Sequence, residues 1–94
     1  MTKLYNRFSI RIVFNHEHQR DELKEALEKE VEDLKFEKKD TVEDGVKYYE
    51  LMLRCDSGAG SLVNGTAFRW DEDSDPTDDD VIADFINYLR DFPL

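Results

Sequence analysis

The chain has one cysteine, Cys55, among 94 residues. No intramolecular disulfide can form, so the staple common in small secreted domains is missing. No apolar run approaches the ~18 residues that cross a bilayer. The opening Met1-Thr2-Lys3-Leu4-Tyr5 lacks the apolar stretch of a secretory signal. A cytoplasmic location is the expectation. Cys55 sits in the run Leu51-Met52-Leu53-Arg54-Cys55 and reads as a buried structural thiol. Catalytic motifs are missing as well. Cys55, Ser57, Ser61, His16 and His18 form no nucleophile arrangement. Ser57-Gly58-Ala59-Gly60-Ser61 is glycine-rich but lacks the lysine of a phosphate loop and the full dinucleotide pattern, so it reads as a turn. The expectation is a protein that is not an enzyme and carries no cofactor.

Positive charge is scarce too. Against 23 Asp and Glu stand 13 Lys and Arg, a net charge of −10. That balance argues against direct nucleic-acid or membrane binding, because both partners repel an acidic chain. It favours a basic protein or a cation as partner. The acidity is not spread evenly. Residues 1–15 hold Lys3, Arg7 and Arg11 with no acid, whereas residues 71–84 hold eight acids with no base. A wholly disordered acidic chain would be poor in aromatics, yet this one has six Phe, four Tyr and one Trp. A folded core is therefore expected, in a single small acidic domain over residues 1–94.

The periodicities give the elements. Phe8, Ile10, Ile12 and Phe14 alternate with Arg7, Ser9, Arg11 and Val13, the period of a half-buried strand. Leu23, Ala26, Leu27, Val31 and Leu34 recur at helical spacing over 17–34, with Asn15 as a candidate cap. Asp44-Gly45 suits a type I′ hairpin turn between a polar arm near Phe36 and an apolar arm from Val46 to Cys55. On that second arm Tyr49, Leu51, Leu53 and Cys55 form the better core face. Leu62 to Trp70 reads as a bulged strand or a small hairpin around Asn64-Gly65. Asp75-Pro76-Thr77-Asp78 reads as a helix start with Asp75 at the N-cap. The stripe Val81, Ile82, Phe85, Ile86, Leu89 and Phe92 follows, and Pro93 ends it. The order is β-α-β-β-β-α. The expected fold class is α+β, a two-layer domain with a mostly antiparallel sheet and two helices on one face. The first strand–helix–strand unit fits a crossover.

Two metal patterns are incomplete. Asp71, Asp73, Asp75, Thr77 and Asp79 match the start of an EF-hand loop, which would make the chain a weak calcium binder. Pro76 replaces the turn glycine and Ile82 the bidentate glutamate. His16 and His18 could share a face near zinc, but spacing supplies no third ligand. No metal site is expected.

The acids themselves are the candidate site. Asp21, Glu25, Glu28 and Glu32 form one stripe, rising ~4.5–6 Å per step, close to the scale of phosphate spacing along a nucleic-acid strand. Asp71, Glu72, Asp73, Asp75, Asp78 and Asp79 could extend that row. Helix capping accounts for only some of them. In size and charge, without a shared motif, the chain resembles the small acidic anti-restriction and anti-CRISPR proteins of phages. The resemblance implies a non-catalytic inhibitor that mimics nucleic acid and blocks the groove of a basic nucleic-acid-binding enzyme. An alternative is an immunity protein or antitoxin against a basic toxin, with Tyr48, Tyr49 or Trp70 as its anchor. Another is an ordinary acidic cytoplasmic domain. Tyr48, Met52 or the arm near Phe36 could also support a homodimer.

Overall fold

The computed structural model describes residues 3–4, 6–56 and 59–91, with the backbone alone over 59–66. Its elements are β1 (Asn6–Phe14), α1 (Glu17–Glu30), β2 (Leu34–Glu43), β3 (Val46–Cys55), β4 (Ala59–Arg69) and α2 (Asp79–Asp91). The order is the expected one. The expectation of a mostly antiparallel sheet is corrected, because the sheet is mixed. Its strands run β2-β3-β1-β4. β3 is antiparallel to both β1 and β2, whereas β4 is parallel to β1. Strand β3 ends with Cys55 opposite Phe8, and β4 begins with Ala59 opposite Asn6. The two strands therefore flank β1 on either side. Residue alternation reports which face a side chain takes but not which way a strand runs, so periodicity could not disclose this pairing.

Alternation does place the core. Phe8, Ile10, Ile12 and Phe14 are fully buried, as are their register partners Cys55, Leu53 and Leu51 on β3. Leu23 and Leu27 of α1 and Ile82, Phe85, Ile86 and Leu89 of α2 close over the same face. Each such aliphatic or aromatic side chain contributes roughly 1.5–3 kcal/mol by leaving water. An aromatic group seals the α2 end. Trp70 stacks on Phe14 at 5.6 Å and meets Phe85 edge-on at 5.5 Å, and Phe85 also touches Phe68. Both helices thus cover one face, and no described helix lies on the other.

The turns follow from residue chemistry. Asp44 and Gly45 have φ of +53° and +76°, the pair of positive angles that a type I′ turn demands. β4 is one bulged strand rather than a hairpin. Between Ser9↔Asn64 and Arg11↔Ala67 it gains one residue on β1, at the Asn64-Gly65 signal. Ala59 to Ser61 of the expected glycine-rich turn belong to β4. Ser57, Gly58, Phe92 and Pro93 lie outside the described residues, as does the side chain of Leu62.

Helix α1 is shorter than its sequence pattern. It closes at Val31, whose N–H donates to Leu27 O at 2.9 Å, and Asp33 turns the chain with φ of +62°. Leu34 consequently belongs to β2. Asn15 does not cap it. The N-cap is His16, whose side chain makes no capping bond. The cap of α2 also differs from expectation. Asp78, not Asp75, accepts from the N–H groups of Asp80 and Val81. Asp75 instead accepts from Thr77 N–H and Oγ1, forming a separate turn one step earlier.

Candidate functional site

The expected stripe of four carboxylates on the first helix does not survive as a unit. Asp21 receives hydrogen bonds from Lys38 at 2.8 Å and Arg20 at 3.2 Å, which hold its carboxyl below the usual range. Glu28 pairs with Lys24 one turn away. Glu32 lies past the helix end. Of the four, Glu25 alone lies on α1 exposed and with no ion pair among the described residues.

Asp21 belongs instead to a cluster centred on Arg20, whose side chain is only 6% exposed. Arg20 Nη1 donates to Asp40 at 2.7 Å, Nε to Asp21, and Nη2 approaches Glu17 at 3.4 Å. Its guanidinium also lies 5.3 Å from the Tyr49 ring centroid. Burial works against the Arg20 charge, but the bonds to Asp40 and Asp21 outweigh it and raise its pKa. The hydrogen bond from Arg20 likewise lowers Asp40. The cluster fastens the outer half of edge strand β2 to α1, where no buried apolar residue follows Phe36.

The acidic segment between β4 and α2 is fixed by its own polar groups. Trp70 Nε1 donates to Ser74 O at 2.9 Å, and Gln19 Nε2 donates to Glu72 O at 2.9 Å. Asp71 accepts from Asp73 N–H at 2.9 Å. Glu72 accepts from Asn15, which in turn accepts from Arg69 Nη1 at 3.1 Å. Pro76 is buried. Asp75 is held below the ordinary carboxylate range by Thr77, whose hydroxyl and N–H both donate to it. Four of the six acids proposed there thus shape the loop or cap the helix. Asp73 and Asp79 are exposed and have no ion pair among the described residues.

These leftover acids converge across the chain. Asp79 of α2 lines a groove with Glu22, Glu25, Glu30 and a single base, Lys29, of α1. An adjoining hollow holds Glu72, Asp73 and Asp75 with His18 and again Glu22. Glu22 joins the two, so the acidic surface runs along the seam between the helices. Glu22 and Glu30 were not singled out from sequence. They flank the stripe chosen there, and nothing in the α1 pattern says which flank meets α2.

The His16 and His18 rings stack at 5.6 Å, and His18 Nδ1 lies 3.7 Å from Glu22. Among the described residues no group of three or more His, Cys, Asp or Glu is placed to hold a metal ion. Trp70 is a core residue at 6% exposure, which removes it as an anchor for a partner. No described helix is long and apolar enough to cross a membrane. No protein-family model, curated protein or solved structure matches the chain.

Proposed function

We propose that the protein is a non-catalytic inhibitor that presents its helix-side acids to the basic groove of a nucleic-acid-binding enzyme. One observation carries the reading. Glu22, Glu25 and Glu30 of α1 meet Asp79 of α2 in one groove with Lys29 as its base, and Arg90 lines the adjoining hollow with Glu30 and Asp79. Asp73 extends it on a loop held by Trp70 and Gln19. Holding like charges together opposes folding, so a complementary cation surface is the natural sink for them. A preorganised loop also loses little entropy on binding. Action inside the cytoplasm, of the anti-restriction or anti-CRISPR kind, fits such a target.

The test is affinity capture of basic nucleic-acid enzymes, with duplex DNA as competitor, by the parent and by Glu25→Lys/Asp73→Lys/Asp79→Lys. Circular dichroism checks that the variant is folded. A mimic of nucleic acid should lose at least about tenfold in affinity from low to high salt, and similarly in the triple variant. DNA should displace it. Capture that withstands salt, charge reversal and DNA would overturn the proposal.

A further inference from the structure

The helix-free face of the sheet carries a second site of opposite character. A concavity of about 330 Å³ lies there, lined by Arg11, Lys39, Glu43, Tyr48, Glu50 and Arg69 over Val13 and Ala67. Its two arginines come from neighbouring parallel strands. Arg11 pairs with Ala67 and Val13 with Arg69, so both guanidiniums share this face as diagonal neighbours. Each is oriented by a fixed partner. Glu50, 5% exposed, receives Thr41 Oγ1 at 2.7 Å and lies 3.3 Å from Arg11 Nε. The Arg11 side chain is half-exposed, and that contact uses its Nε. Arg69 lies 4.9 Å from the Tyr48 ring centroid and donates through Nη1 to Asn15. Lys39 is exposed with no ion pair among the described residues. Three cations therefore face two carboxylates, the buried Glu50, whose two oxygens are already engaged, and the exposed Glu43.

We propose that this concavity binds a nucleoside monophosphate, free or as the phosphorylated end of a single strand. The phosphate takes N–H donors of Arg11 and Arg69, a geometry that guanidinium forks match bidentately. The base stacks on the Arg69–Tyr48 platform, a mode that tolerates any base. The volume suits a small ligand rather than a protein segment. The chain's net charge does not forbid it. The acidic helices lie on the opposite side of a body whose shortest extent is 20 Å, whereas charges are screened within about 8 Å at physiological salt. The site is independent of the acidic seam, so either proposal can fail alone.

Amide chemical-shift mapping tests it with four probes: adenosine monophosphate, adenosine, inorganic phosphate and a 5′-phosphorylated trithymidylate with its unphosphorylated control. Adenosine monophosphate should shift amides of β1, β3 and β4 around Arg11, Tyr48 and Arg69, with a Kd of about 1 mM or tighter. Adenosine and phosphate should each bind at least about tenfold more weakly. Saturation by the trinucleotide only when phosphorylated, and more tightly than by the mononucleotide, assigns the source as a strand end. The reverse order assigns the free nucleotide. Arg69→Lys keeps the charge and the strand but loses the fork and the stack, and should weaken binding at least about fivefold. Glu25→Lys/Asp73→Lys/Asp79→Lys should leave it unchanged. The proposal is overturned by no shifts at saturating nucleotide, by shifts confined to the helix side, or by phosphate binding as tightly as the nucleotide in parent and Arg69→Lys alike.

Discussion

The two faces of the sheet are cut from the same strands, yet they do different work. On β1 the even residues Phe8 to Phe14 are sealed under two helices, while Arg7, Ser9, Arg11 and Val13 look the other way. On β3 the buried Leu51 and Leu53 back onto Glu50 and Met52. The helix side takes nearly all the apolar burial, and its outer surface collects the acids. The bare side keeps Arg11, Lys39 and Arg69 around the buried Glu50, with the exposed Glu43 beside them. A single-residue alternation has thus sorted both hydrophobicity and charge. A bulk charge of −10 conceals that separation.

The largest test of this contrast is a pair of truncations one residue apart. Phe14→Ala removes a fully buried ring that stacks on Trp70 and should cost about 3–5 kcal/mol in denaturant unfolding. Val13→Ala, on the bare face, should cost about 1 kcal/mol or less. Equal losses would mean that the bare face is covered in solution.

Arginines make the second comparison. Arg20 is buried among Glu17, Asp21 and Asp40, whereas Arg54 is half-exposed beside Asp56. Arg20→Met should cost about 1–3 kcal/mol, since it breaks charge-assisted bonds at a buried site. Arg54→Met should cost under about 1 kcal/mol. Acid should erase part of the Arg20 effect. Asp21 and Asp40 both titrate below the ordinary 3.8 when folded. Their contribution is full above that value and fades as pH falls through the lowered one. The melting difference between parent and Arg20→Met should therefore narrow below about pH 4. A gap constant from pH 7 to pH 2 would refute the ion-pair account.

How much of this was legible depended on range. Local pattern gave β1, the β3 core face, the Asp44-Gly45 turn and the α2 stripe, because each rests on residues within one turn or strand. It overran α1, since Val31 and Leu34 keep helical spacing while Asp33 already turns the chain. It misplaced the α2 cap because Asp75 and Asp78 are both good caps, and only the folded backbone chooses between them. Neither the parallel β4 nor the Arg11–Arg69 pair could be read, since residues 58 apart become neighbours only through register. The acidic seam was half visible. Glu25, Asp73 and Asp79 were named, whereas Glu22 and Glu30 needed the position of α2.

The cap assignment sets a smaller test within the helix layer. Asp78→Ala removes the acceptor of the Asp80 and Val81 N–H groups and should cost about 1 kcal/mol. Asp75→Ala breaks only the turn at Thr77 and should cost less. Both are measured by thermal melts at neutral pH. The reverse order would restore the earlier helix start.

The smallest expected effect on stability is the most informative about the acids. Glu25→Gln/Asp73→Asn removes two exposed carboxylates that have no ion pair among the described residues and cap nothing. If they served the fold, neutralising them would lower the melting temperature. Their surroundings predict otherwise. Glu25 faces Glu22 and Asp79 along the seam, and Asp73 lies among Glu72 and Asp75. Removing like-charge neighbours relieves repulsion, so stability should stay within about 0.5 kcal/mol or rise slightly. Added salt should then stabilise the parent more than the variant, because screening does the same work as neutralisation. A clear loss of stability would make these two acids structural, and would leave Glu22, Glu30 and Asp79 alone to carry the binding role.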